Sequence, residues 1–108
     1  MSIRHVVMWK LRGPSLAERD EQRIQLAEHL RALPAFIPQI QSFEVGVGDD
    51  LNDDYYDVVL ISDFADRAAL KEYVNAPEHQ KVIAYVQEFV AERSAVDYTI
   101  PGAGDQQS

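Results

Sequence analysis

A phenol and an imidazole six residues apart, Tyr73 and His79, flank a proline in the run Tyr73-Val74-Asn75-Ala76-Pro77-Glu78-His79-Gln80. Proline has no backbone N–H and a fixed φ, so Pro77 belongs in a first helical turn, with Ala76 or Asn75 as the cap before it. His79 then sits among the unpaired N–H groups of a helix start. An imidazolium is disfavoured there, which leaves a neutral ring able to accept a proton. This chemistry suits proton abstraction next to a carbonyl, with His79 as general base and Tyr73 holding either the oxyanion or the productive imidazole tautomer. His5 would orient the ligand or act as a second acid. These roles require no metal and no cofactor. The plainer alternative is a proline-initiated helix whose early histidine is packed or solvated, with His5 a satisfied core residue.

The other polar clusters offer less. The three histidines, at positions 5, 29 and 79, contain no i, i+4 pair and so compose no metal motif, although carboxylates could complete a weak site. His29 is assigned no role. The acidic run Asp49-Asp50-Leu51-Asn52-Asp53-Asp54 superficially suggests calcium. An EF-hand loop counted from Asp49 would need Gly at 54 and Glu at 60, where the chain has Asp54 and Leu60, so the run reads as a solvated turn.

The elements that must position these side chains follow from periodicity. Ile3, His5, Val7, Trp9 and Leu11 alternate with Arg4, Val6, Met8 and Lys10, which predicts a strand over 3–11 ended by Gly13-Pro14. Ser15-Leu16-Ala17-Glu18 has the form of a capping box. A helix is expected over 16–33, with Ile24, Ala27 and Leu30 on one line of its apolar stripe and Leu26, Leu30 and Leu33 on the next. Strands are expected over 39–47 and 55–64, the latter apolar on both faces at Val58-Val59-Leu60-Ile61. Asp63 or Asp66 can cap a helix over 67–74 with Leu70, Tyr73 and Val74 inward. After the break at Pro77 a second helical piece is expected over 77–92, carrying Val82, Ile83, Val86, Phe89 and Val90. A last strand is expected over 94–100, giving a domain of residues 1–101 and a flexible tail, 102–108.

The order β-α-β-β-α-β is that of a ferredoxin-like α+β domain, an antiparallel sheet with its helices on one face. The other face would be bare, although it carries side chains such as Val59 and Ile61, or Val58 and Leu60, together with Val6 and Met8. Burying each is worth about 1.5–3 kcal/mol, which favours a homodimer packed face to face. Trp9 reads as core, with a ring that could also wall a pocket for a planar ligand.

The 108 residues, 46% of them hydrophobic, suit one domain with a real core. With no cysteine there is no disulfide framework and no thiolate chemistry, as fits a reducing cytoplasm. A net charge of −8 without a basic stripe argues against nucleic acid as a partner. No apolar run approaches the roughly 20 residues that span a bilayer, and the first residues lead straight into a strand pattern, so a soluble cytoplasmic protein with no membrane partner is expected.

Ile3-Arg4-His5-Val6-Val7, Val45-Gly46-Val47-Gly48-Asp49, the strand from Tyr56 to Phe64, Leu70-Lys71-Glu72-Tyr73 with Ala76-Pro77-Glu78-His79, and Val96-Asp97-Tyr98 occur here in one order. In this the chain resembles the stress-responsive A/B-barrel (Dabb) family over about residues 3 to 100. The resemblance implies a homodimeric α/β barrel built from two ferredoxin-like sheets. It implies mixed functions, since many members are uncharacterised while a plant polyketide cyclase of this fold closes a ring by aldol condensation. That cyclase is similar in having a Tyr and a His spaced like Tyr73 and His79, and an early histidine like His5. Its strand-three histidine aligns near Val58 and a helix-one tyrosine near Leu26, so two polar pocket positions are apolar here.

Two functions are therefore expected as alternatives. One is a small dimeric module of unassigned activity that holds a small apolar or planar ligand between sheet and helices, with Trp9, Val58 and Leu26 in the pocket wall. The other is a cofactor-free acid–base enzyme, polyketide-cyclase-like or lyase-like, or a monooxygenase, using His79, Tyr73 and His5.

Overall fold

The computed structural model describes residues 1–49 and 54–101. Its elements run β1 (Ser2–Leu11), α1 (Leu16–Arg31), a 3-10 turn (Leu33–Ala35), β2 (Ile40–Val47), β3 (Val58–Phe64), α2 (Arg67–Asn75), α3 (Pro77–Val86) and β4 (Val90–Ile100). The strands form one open antiparallel sheet in the order β2-β3-β1-β4, the expected ferredoxin-like α+β arrangement. Residues 50–53 of the expected acidic turn and the expected tail, 102–108, lie outside the described residues.

Strand alternation decides which side chains meet the helices. Ile3, His5, Val7, Trp9 and Leu11 of β1 are all buried on the helix-covered face, as are Val58, Leu60, Ser62 and Phe64 of β3. Leu26 and Leu30 of α1, Leu70 and Tyr73 of α2 and Val86 of α3 close the core over them. The starts of α1 and α2 are capped by side chains. The Glu18 N–H donates to Ser15 Oγ at 3.1 Å, and the Ala69 N–H donates to Asp66 Oδ1 at 2.8 Å, which selects Asp66 over Asp63 as the cap of α2.

Four expectations are corrected. The helix after Pro77 ends at Val86, and Phe89 and Val90 leave it, because β1 needs a partner to its very end. Val90 pairs with Leu11, the Arg12 N–H donates to Phe89 O at 3.0 Å, and a register shift lies between Lys10 and Leu11. Strand pairing thus overrides a helical period that runs on through Val90. The third strand begins at Val58, since Asp57 instead ties the entry of β3 to the end of β1: its N–H donates to Trp9 O at 2.8 Å, and its carboxylate accepts from the Leu11 N–H at 2.9 Å. In α1 the inward stripe is Arg23, Leu26, Ala27 and Leu30, while Ile24 is 50% exposed. The Arg23 guanidinium lies 3.8 Å from Asp57 and 3.4 Å from Asp20, so an ion pair fills a position the apolar pattern assigned to Ile24. In α2, Val74 faces outward rather than inward.

The face without helices carries an apolar strip. Val6 stands between Ile61 and Val96, and Met8 pairs with Val59. Val96, Tyr98 and Met8 are exposed there. Arg4 holds Asp63 through two bonds of 2.8 and 3.0 Å, and Ser42 adds a third of 2.8 Å, which together keep the Asp63 carboxyl below its ordinary value.

Candidate functional site

Tyr73 lies near the end of α2, His79 stands in the first turn of α3, and the extended backbone of Ala76 between them turns the chain so that the two rings face each other. Their centroids are 4.4 Å apart. Phe64 packs on Tyr73 at 4.9 Å, and His5 approaches it edge-on at 6.2 Å. Tyr73 is almost wholly buried, and burial pushes its hydroxyl up from the usual phenol value, with Arg93 acting weakly the other way. The phenol therefore stays protonated and able to donate at neutral pH.

The proton on His79 is assigned by its partner. Nδ1 lies 2.9 Å from the carbonyl oxygen of Val74, and a carbonyl only accepts, so Nδ1 carries the hydrogen and Nε2 holds the exchangeable lone pair. Gln80 Nε2 donates to the same oxygen at 2.6 Å. Burial pushes the imidazole below its ordinary value. The Val74 bond opposes that shift, and the nearby His5 and Arg93 add to it.

His5 is fixed by the β1–β4 register, which sets it opposite Asp97. Its Nδ1 meets Asp97 Oδ1 at 2.5 Å, a carboxylate–imidazole contact that orients the ring.

These side chains converge on a cavity of about 280 Å³ between the sheet and helices α1 and α3. His5, Trp9, Tyr73 and His79 line it, together with Leu26, Leu30, Val82 and Val86. Of the residues expected in the pocket wall, Trp9 and Leu26 lie there, while Val58 does not: α1 covers β2 and β3 and seals Val58 in the core. His29 is remote from the cavity, stacked on Tyr85 at 4.1 Å. Among the described residues no group of three His, Cys, Asp or Glu side chains could hold a metal ion.

Sequence reasoning missed Arg93, Gln87 and Asp97 as neighbours of this site. Arg93 and Gln87 line the cavity, yet Gln87 fell inside the helix expected over 77–92 and Arg93 in the junction between it and the strand expected over 94–100. Asp97 was visible as a strand residue, but only the cross-strand register reveals that it meets His5. The helices lie mainly over β1, β2 and β3, so Arg93, Ala95, Asp97 and Thr99 of β4 remain exposed and the cavity opens at that edge.

Residues 3–100 match the Stress responsive A/B Barrel Domain, Dabb. The chain belongs to this family. Among solved structures, this Dabb chain is similar to a dimeric protein of unknown function and ferredoxin-like fold from Bacteroides fragilis. That relative is 30% identical, with 92% of this chain and 96% of the other covered at a TM-score of 0.80. A dimeric ferredoxin-like protein of unknown function from Thermobifida fusca is 25% identical over 93% of this chain and 92% of its own, with a TM-score of 0.78. A hydroxynitrile lyase from Passiflora edulis, at 14% identity over 93% and 94% with a TM-score of 0.76, shares the fold. No functionally curated protein matches the Dabb chain. Among the described residues no helix is long and apolar enough to cross a membrane.

Proposed function

We propose that this Dabb protein works as a homodimer that holds a small, largely apolar, planar ligand in the cavity between sheet and helices. The carrying observation is the cavity itself: an apolar wall of Trp9, Leu26, Leu30 and Val86 with His5, Tyr73 and His79 gathered at one region of it. Its volume, about 280 Å³, is roughly twice the ~150 Å³ that holds a benzene ring. Convergent polar groups in an apolar pocket are the usual form of a small-molecule site. The dimer is supported by the apolar strip of Val6, Ile61 and Val96 on the open face and by the dimeric relatives. The family's barrel would then arise by packing two open sheets together. Trp9, the single tryptophan, gives a direct test, since an aryl aldehyde such as 2-naphthaldehyde entering the cavity should alter its fluorescence in a saturable way. Unchanged emission up to the solubility limit would defeat the reading.

A second reading, cofactor-free proton transfer of cyclase or lyase type, is favoured by one observation: the Val74 carbonyl fixes the Nδ1–H of His79 and leaves Nε2 as a base. In that case Nε2 takes a proton next to the ligand carbonyl, and the Tyr73 hydroxyl donates to the oxygen on which charge develops. His5, oriented by Asp97, positions the carbonyl compound. Base-catalysed exchange of α-protons for deuterium in an aryl ketone, abolished by His79→Ala, would establish it; an exchange rate equal to that of buffer would exclude it.

A further inference from the structure

The chain carries a net charge of −8, yet among the described residues no Asp or Glu lines the cavity. Among the described residues that line it, Arg93 is the one side chain with a full permanent charge. Among the described residues it has no hydrogen-bond or ion-pair partner; Asp97, four positions along the same strand, is taken up by His5. Arg93 stands opposite Trp9 in the β1–β4 register, on the helix-facing side of an edge strand that the helices leave open. Its charge reaches both rings of the site, acting to lower Tyr73 and His79 alike.

We infer that the ligand is a small aromatic carboxylate, its ring system against Trp9 and the apolar wall and its carboxylate on the Arg93 guanidinium at the cavity mouth. This rests on the reading of the cavity as a ligand site. A planar guanidinium fork matches a carboxylate bidentately, and a single cation balances a monoanion. Placing the charged pair at the open β4 edge keeps both groups hydrated, while the ring system is buried further in. The volume admits one substituted ring or two fused rings.

The test compares 2-naphthoate with its neutral counterpart 2-naphthamide, titrated into the full chain and read by Trp9 fluorescence and amide chemical shifts. The carboxylate should bind about tenfold more tightly than the amide, a preference that Arg93→Gln should remove and Arg93→Lys should partly keep. Binding of the carboxylate should also raise the midpoint at which His79 titrates, and binding of the amide should not. Arg93 is exposed on an edge strand, so the variants should keep the parent circular-dichroism spectrum. Equal binding of both probes, or a preference that survives Arg93→Gln, would overturn the carboxylate assignment while leaving the ligand site standing. Failure of both probes to bind would overturn the two together.

Discussion

His79 Nδ1 donates to the carbonyl oxygen of Val74 across 2.9 Å, and this one bond joins the first turn of α3 to the end of α2 while it fixes the imidazole tautomer. The ring is half-buried, and burial is the main reason its titration falls below the ordinary histidine range. An NMR titration of the His79 ring should give a midpoint below ~6.5, with Nδ1 the protonated nitrogen of the neutral form. With the folded value below the unfolded one, the neutral ring's contribution is fully present above ~6.5 and is lost as pH falls through the folded value. His79→Gln should flatten that part of the stability–pH curve.

Asp97→Ala should leave the fold intact, because Asp97 lies on the exposed edge of β4 and its backbone pairing is unaffected. The variant removes the acceptor of the His5 Nδ1–H, so the downfield ring N–H resonance should be lost to solvent exchange. Persistence of that resonance would show that something other than Asp97 orients His5.

Much of the fold was legible because strand alternation is a local signal. The parity of Ile3, His5, Val7 and Trp9 placed His5 and Trp9 on the helix-covered face, and Pro77 marked the start of α3. Errors arose where a distant partner decided the outcome. Val90 continues the helical period of Val82, Ile83 and Val86, yet pairing with Leu11 makes it the start of β4, and that change brought Arg93 to the cavity. Ile24 looked like core by residue type. Arg23 took the inward place because Asp57, 34 positions away, supplies a buried carboxylate. The wall position expected at Val58 failed for a similar reason, since helix coverage is not encoded in the strand itself.

Asp57 offers a test of that buried pair. It accepts from the Leu11 N–H, stands 3.8 Å from the Arg23 guanidinium, and is 4% exposed. Asp57→Ala should destabilise the protein by about 3–5 kcal/mol in urea unfolding, because it strands a buried cation and a backbone donor. A loss below about 1 kcal/mol would mean that water replaces the carboxylate.

The open sheet face should be the dimer interface. Val6→Glu puts a charge between Ile61 and Val96, and light scattering should report the variant at the 12.2 kDa of one chain while the parent runs at about twice that mass. A parent protein already monomeric at micromolar concentration would refute the homodimer.

Chemical-shift mapping with 2-naphthaldehyde, a neutral planar carbonyl compound, tests the ligand site most directly. The account predicts saturable shifts concentrated at the Trp9 indole N–H and around His5, Tyr73 and His79, weakened by His79→Ala and Tyr73→Phe. Shifts confined to Met8, Val59 and Val96 on the opposite face, or no saturable shifts at all, would contradict it.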